Sequence, residues 1–76
     1  MKTVEEVVLE VLNLPLDTPT DDNFGVDTCE QWNSLAQIGI VVSMGNNFDT
    51  SFTLDEGMNM DTIGGIKNVL KKKGLI

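Results

Sequence analysis

The stretch that most constrains this chain runs from Ser34 to Asn47. Leu35, Ile38, Ile40, Val41, Val42 and Met44, with Phe48 directly after, cover well over half of a helical wheel. A helix apolar over so wide an arc is expected at the centre of a fold, touched by several elements. The remaining strip, Ala36, Gly39, Ser43, Asn46 and Asn47, is small and uncharged. In a chain of 76 residues this leaves room for one small domain, residues 1–76, built around that helix.

The flanking segments supply helices to pack on it. Thr3-Val4-Glu5-Glu6 has capping-box spacing, and Val4, Val7, Val8, Val11 and Leu12 follow at helical period. These β-branched residues lower intrinsic propensity, so the helix depends on burying its stripe. Pro15 is expected to end it near Asn13 or Leu14. A seventeen-residue stretch from Pro15 to Gln31 has no period, and Phe24 and Val26 are read as plugs that hold it to the core. A crossover of that length usually marks function or irregular structure. After Phe48 the chain reads as a loop with one short helical turn near Asp55 to Asn59. Asp61 or Thr62 then caps a last helix with Ile63, Ile66, Val69 and Leu70 buried. Lys71, Lys72 and Lys73 complement its macrodipole, and Gly74 stops it. Gly64 and Gly65, each costing about 1 kcal/mol against Ala, suggest a frayed start. There is no strand alternation and no repeat. The fold class expected is all-α, a bundle of three main helices and one short one with a long first loop.

Charge and composition exclude several functions. The net charge of −7 argues against nucleic acid, whose phosphates demand clustered Lys and Arg. Eight of the twelve acids lie at or before Glu30, and four of the five lysines at or after Lys67. One cysteine, Cys29, rules out an internal disulfide framework and fits a reducing compartment. No apolar run is long enough to span a bilayer and no signal peptide is visible, so a soluble, cytoplasmic protein is expected.

No catalytic constellation emerges. The chain has no His, and Cys29 has neither a base nor a cation nearby in sequence. Gly64-Gly65 lacks the spacing and lysine of a phosphate loop. An EF-hand loop placed on Gly25 would put Thr20, Phe24 and Gln31 at three ligand positions, which excludes it. The expectation is a protein that is not an enzyme and holds no metal. Ser34 remains. It is either the cap of a Ser34-Leu35-Ala36-Gln37 capping box, or the first helical residue behind an Asn33 cap. The same place, with free N–H groups and a positive dipole end, suits an attached phosphate.

Trp32-Asn33-Ser34-Leu35, the apolar helix to Phe48-Asp49 and the spacing to Thr62-Ile63 resemble the acyl carrier protein family, the phosphopantetheine-binding carriers whose motif is Asp-Ser-Leu. The resemblance runs over the whole chain and implies a four-helix bundle of acyl-carrier type. It implies that a phosphopantetheinyl transferase moves 4′-phosphopantetheine from coenzyme A to Ser34, flanked by Asn33 and Leu35. A loading ligase or synthase then places an acyl or aminoacyl group on the thiol, and downstream transferases remove it. It suggests a discrete monomeric carrier. The Trp before the motif and the neutral helix favour a specialised polyketide, nonribosomal peptide or lipid- or glycan-modifying pathway. The alternatives are the housekeeping carrier of fatty acid synthesis and an unmodified carrier-like scaffold. Two departures stand out. Asn33 replaces the usual Asp, and no acid occurs between Glu30 and Asp49 where the family meets basic partners. The neutral strip is therefore read either as solvated or as a close, charge-poor docking face of Ala36, Gly39, Ser43 and Asn46, joined by Met58. Met44, Met58 and Met60, with Ile40 and Val41, are read as core that could part between the second and last helices to shelter an acyl chain.

Overall fold

The computed structural model describes residues 1–76 and contains four helices and no strand: α1 (Val4–Val11), α2 (Ser34–Phe48), α3 (Leu54–Met58) and α4 (Ile63–Lys72). Each starts where side-chain chemistry supplies a cap. Thr3 and Glu6 close a reciprocal capping box on α1, and Thr53 and Glu56 do the same on α3. Thr62 Oγ1 accepts from Gly65 N to open α4. α1, α2 and α4 stop at left-handed residues, whereas α3 ends at Asn59 in a right-handed conformation. Asn13 (φ 58°) lets Leu14 N–H reach Leu9 O at 2.9 Å, and Gly74 (φ 75°) lets Leu75 N–H reach Leu70 O at 2.9 Å. Asn13, not Pro15, therefore ends α1, and Val11 is its last helical residue.

α1 packs on both α2 and α4, and the core lies where the three meet. Val7 and Val8 from α1 with its C-cap Leu12, Ile40, Met44 and Phe48 from α2, and Ile63, Ile66 and Leu70 from α4 are buried together with Met60. α2 is less enclosed than its composition suggested. Only Ile40, Met44 and Phe48 are buried, while Leu35, Ile38 and Val42 are 79%, 63% and 58% exposed. Two packing helices and a short third element cannot cover an arc that wide, so one apolar edge of the helix stays open.

The long crossover is held by backbone. Gly25 and Thr62 form an isolated antiparallel bridge, and Ile63 N–H donates to Phe24 O and Gly64 N–H to Asp22 O, both at 2.9 Å. Phe24 is half-buried against Trp32, with ring centroids 6.2 Å apart, but Val26 is 38% exposed and lies outside the core cluster. Gly64 and Gly65 are sites of close approach, not fraying. A Cβ on Gly65 would lie 2.2 Å from Asn59 O, and one on Gly64 would lie 3.0 Å from Asp22.

The crossover and α1 are also pinned to α4 by Lys67, whose Nζ lies 2.8 Å from Glu5 and 3.6 Å from Asp22. The hydrogen bond from Lys67 holds the Glu5 carboxyl below the ordinary carboxylate range, against partial desolvation. The same bond raises Lys67 above the ordinary lysine value. A lowered acid stabilises the fold above its unfolded pKa and loses that contribution as pH falls through the folded value; a raised lysine loses its own as pH rises through its folded value. The pair is therefore at full strength between the two. Both side chains are about one-third exposed (31% and 37%), so screening discounts it. Lys67→Met should lower urea stability by up to about 1 kcal/mol at pH 7, and the difference from wild type should vanish once Glu5 is protonated.

Candidate functional site

The start of α2 is fixed by three consecutive side chains with separate duties. Trp32 is 2% exposed and anchors the chain in the core. Asn33 is the N-cap, its Oδ1 accepting from Ala36 N at 2.9 Å. Ser34 is the first helical residue and is exposed. Of the two sequence readings, the Asn33 cap is the one adopted, so the Ser34 hydroxyl is not spent on the helix. Gln37 does not close a box with Ser34 either. Its Oε1 accepts from Trp32 Nε1 at 2.6 Å, and its Nε2 donates to Gly57 O at 3.1 Å and Met60 O at 2.9 Å. One amide thus ties the core tryptophan, α2 and α3 together, and no buried side-chain polar atom is left without a partner.

Beside Ser34 lies an open cleft of about 780 Å³ between α2 and α3. Ile38, Val41 and Val42 line it from α2 and Phe52, Leu54 and Met58 from the segment of α3, with Ser34 and Asn33 also among its lining residues. Met58 is 68% exposed, which removes it from the core while Met44 and Met60 are fully buried. The cleft lies toward α3, on a different side of α2 from the gap with the last helix that the sequence reading considered. Asp61 and Val26 complete its edge. No acid sits in the first turn of α2, so the dipole end beside Ser34 is uncompensated.

The small strip faces elsewhere. Ala36 is half-buried against the core. Gly39 lies beneath α1, where an added Cβ would sit 3.2 Å from Val11 Cγ1. Ser43 and Asn46 line a shallow recess of about 320 Å³ with Lys2 and Glu10, and Asn47 exchanges hydrogen bonds with the Lys2 backbone at 3.0 and 2.8 Å. The contact made at Gly39 within the chain is with the Val11 side chain of α1. Of the residues assigned to docking, Met58 alone lines the cleft beside Ser34.

Comparison with protein-family models, curated proteins and solved structures gives no match. The reading of the site rests on its own residues.

Sequence reasoning passed over Gln37, Leu54 and Phe52. Gln37 was masked by its spacing, which fits a capping box on Ser34 as well as a bond to Trp32. Leu54 follows Thr53, whose box with Glu56 was visible in the sequence and announces the helix from which Leu54 lines the cleft. Lys73, read as a dipole complement, also pairs with Glu56 at 3.2 Å and stands over the Phe52 ring at 5.5 Å. Hydrogen bonds from the Thr53 backbone and then Lys73 hold the Glu56 carboxyl below its ordinary value. No helix is long and apolar enough to cross a membrane, and no three His, Cys, Asp or Glu side chains are grouped as metal ligands.

Proposed function

We propose that this protein is a carrier of the acyl or peptidyl type, with 4′-phosphopantetheine attached at Ser34. The observation that carries the reading is the division of labour at the start of α2. Asn33 caps the helix, leaving an exposed Ser34 among the residues that line an apolar cleft. The residues fit the group. The first-turn N–H groups of a fifteen-residue helix favour a phosphodiester, and that turn carries no acid of its own, although Asp61 lines the edge of the same cleft. In the loading step Ser34 Oγ attacks the phosphorus that joins pantetheine to the nucleotide half of coenzyme A. A new O–P bond forms, the pyrophosphate bond breaks, and the nucleotide leaves. The attached group supplies a thiol that holds an acyl or aminoacyl cargo as a thioester. The chain's own residues orient the attachment point, and the cleft offers an apolar cargo a place to rest. A transferase, a loading ligase or synthase, and downstream acyltransferases are the partners. A specialised pathway is favoured over housekeeping fatty acid synthesis, because the surface beside Ser34 is apolar where an acid-rich helix would meet basic partners. Solution in a cytoplasm suits that work.

One observation favours a second reading. Leu35, Ile38 and Val42 recur on one exposed edge of α2 and would serve an unmodified interaction scaffold equally well. Labelling separates the two. With a promiscuous phosphopantetheinyl transferase and a fluorescent coenzyme A analogue, wild type should label on a gel and Ser34→Ala should not. Asn33→Asp keeps the cap and adds about 0.3–1 kcal/mol through the helix dipole; it should label faster. A chain that stays dark in all three forms supports the scaffold.

A further inference from the structure

We propose that Asp61 makes the cleft between α2 and α3 selective for a cationic ligand, a primary amine carried on an apolar chain. Most of the residues that line the cleft are hydrophobic, and Asp61 is the one that carries a charge. The polar groups around it are largely committed. Gln37 gives its oxygen to Trp32 Nε1 and its nitrogen to Gly57 O and Met60 O. Asn33 Oδ1 accepts from Ala36 N, and Thr53 Oγ1 accepts from Glu56 N. Asp61 is different. The sequence offers Asp61 or Thr62 as the cap of α4, and the structure gives that duty to Thr62, whose hydroxyl accepts from Gly65 N at 2.9 Å. The ion pairs of the chain join Lys2, Lys67 and Lys73 to other acids and leave the Asp61 carboxylate out. No lysine lines the cleft to neutralise it.

The backbone that carries this carboxylate is held in place. Asp61 O accepts from Val26 N at 3.1 Å, next to the bridge between Gly25 and Thr62. An apolar chain entering the cleft removes the same surface from water whatever its headgroup. The headgroup then decides. An ammonium meets an unpaired carboxylate among apolar side chains, where less water competes for it, and a carboxylate meets a like charge. The net charge of −7 also attracts any cation to the whole surface, so the effect of Asp61 is the part that a charge removed elsewhere does not reproduce. Binding concerns the unmodified chain. Its meaning for cargo rests on the carrier reading, in which the free amine of an aminoacyl group is preferred to a plain acyl chain.

Octylammonium, octanoate and neutral 1-octanol share an apolar chain and differ in the headgroup, so titrating each into the unmodified protein is the test. Methyl NMR shifts of Ile38, Val42, Leu54 and Met58, which line the cleft, report occupancy. Octylammonium should bind roughly three- to tenfold more tightly than 1-octanol, and octanoate more weakly than either. Asp61→Asn should bring octylammonium to the level of 1-octanol and leave 1-octanol unchanged. Asp61→Lys should favour octanoate over octylammonium. Asp49→Asn removes the same charge from an exposed residue outside the cleft, at a left-handed position that Asn accepts, and should keep the wild-type preference. Absence of methyl shifts with octylammonium, equal affinity for the three ligands, a preference that survives Asp61→Asn, or one that Asp49→Asn abolishes equally would each overturn the proposal. None of these measurements uses a transferase, so a missing amine preference and a failure to load Ser34 are separate results.

Discussion

Trp32→Ala should cost about 3–5 kcal/mol, as truncation of a large buried side chain does. A domain of this length is expected to hold only about 4–11 kcal/mol of net stability, so the variant loses a large share of it and, at the low end of that range, is unfolded at 37 °C. The reason is position as much as size. Trp32 is 2% exposed, packs on Phe24 of the crossover, and is hydrogen-bonded to Gln37 of α2. Its loss opens a cavity between the crossover and α2 and leaves Gln37 without its donor. Trp32→Phe keeps most of the volume and loses the hydrogen bond, so it should fall between the two. Urea unfolding followed by far-UV circular dichroism measures the series, since the fluorophore itself is being changed. A Trp32→Ala protein as stable as wild type would mean that the residue is not the keystone placed under Ser34.

Gly25→Ala is the second large effect expected, about 3 kcal/mol, from a single added methyl group. The new Cβ would stand 2.2 Å from Asp61 O and 2.9 Å from Thr62 Cα, backbone atoms that cannot swing aside. Making room means parting the crossover from the entry to α4, where Val26 N–H donates to Asp61 O at 3.1 Å and Ile63 N–H to Phe24 O at 2.9 Å. Gly25 has no left-handed backbone, so the requirement is one of space alone. Gly74→Ala provides the contrast. That site has open space around it but a φ of 75°, so its cost is conformational, about 1–2 kcal/mol. Guanidinium melts of both variants should rank Gly25→Ala below Gly74→Ala. The reverse order would show that the bridge between Gly25 and Thr62 contributes little.

Much of the helical plan was legible because its signals are local. The Thr3–Glu6 box, the stripe of α4 and its stop at Gly74 are each written within a few residues, and the structure places them accordingly. What failed depended on partners far along the chain. The open edge of α2 could not be read from a wheel, which shows what is apolar and not what arrives to cover it. Gly39 suggested close contact, and only the fold reveals that the Val11 side chain of α1 lies against it. Gly64 and Gly65 looked like weak helix and are contact points with Asp22 and Asn59. At the site, Ser34 was singled out while its cap stayed ambiguous between two residues, and geometry assigns the cap to Asn33. Gln37 was hidden because its partners, Gly57 and Met60, lie twenty or more positions away.

The proposal that the Ser34 hydroxyl is a tether point is tested most directly by intact mass. The folded apo protein is incubated with coenzyme A and a promiscuous phosphopantetheinyl transferase, beside Ser34→Ala. The account predicts that wild type gains the mass of one phosphopantetheine group, localised to the peptide containing Ser34, and that Ser34→Ala gains nothing. An unchanged wild-type mass under conditions that load Asn33→Asp, or a gain that persists in Ser34→Ala, would contradict it.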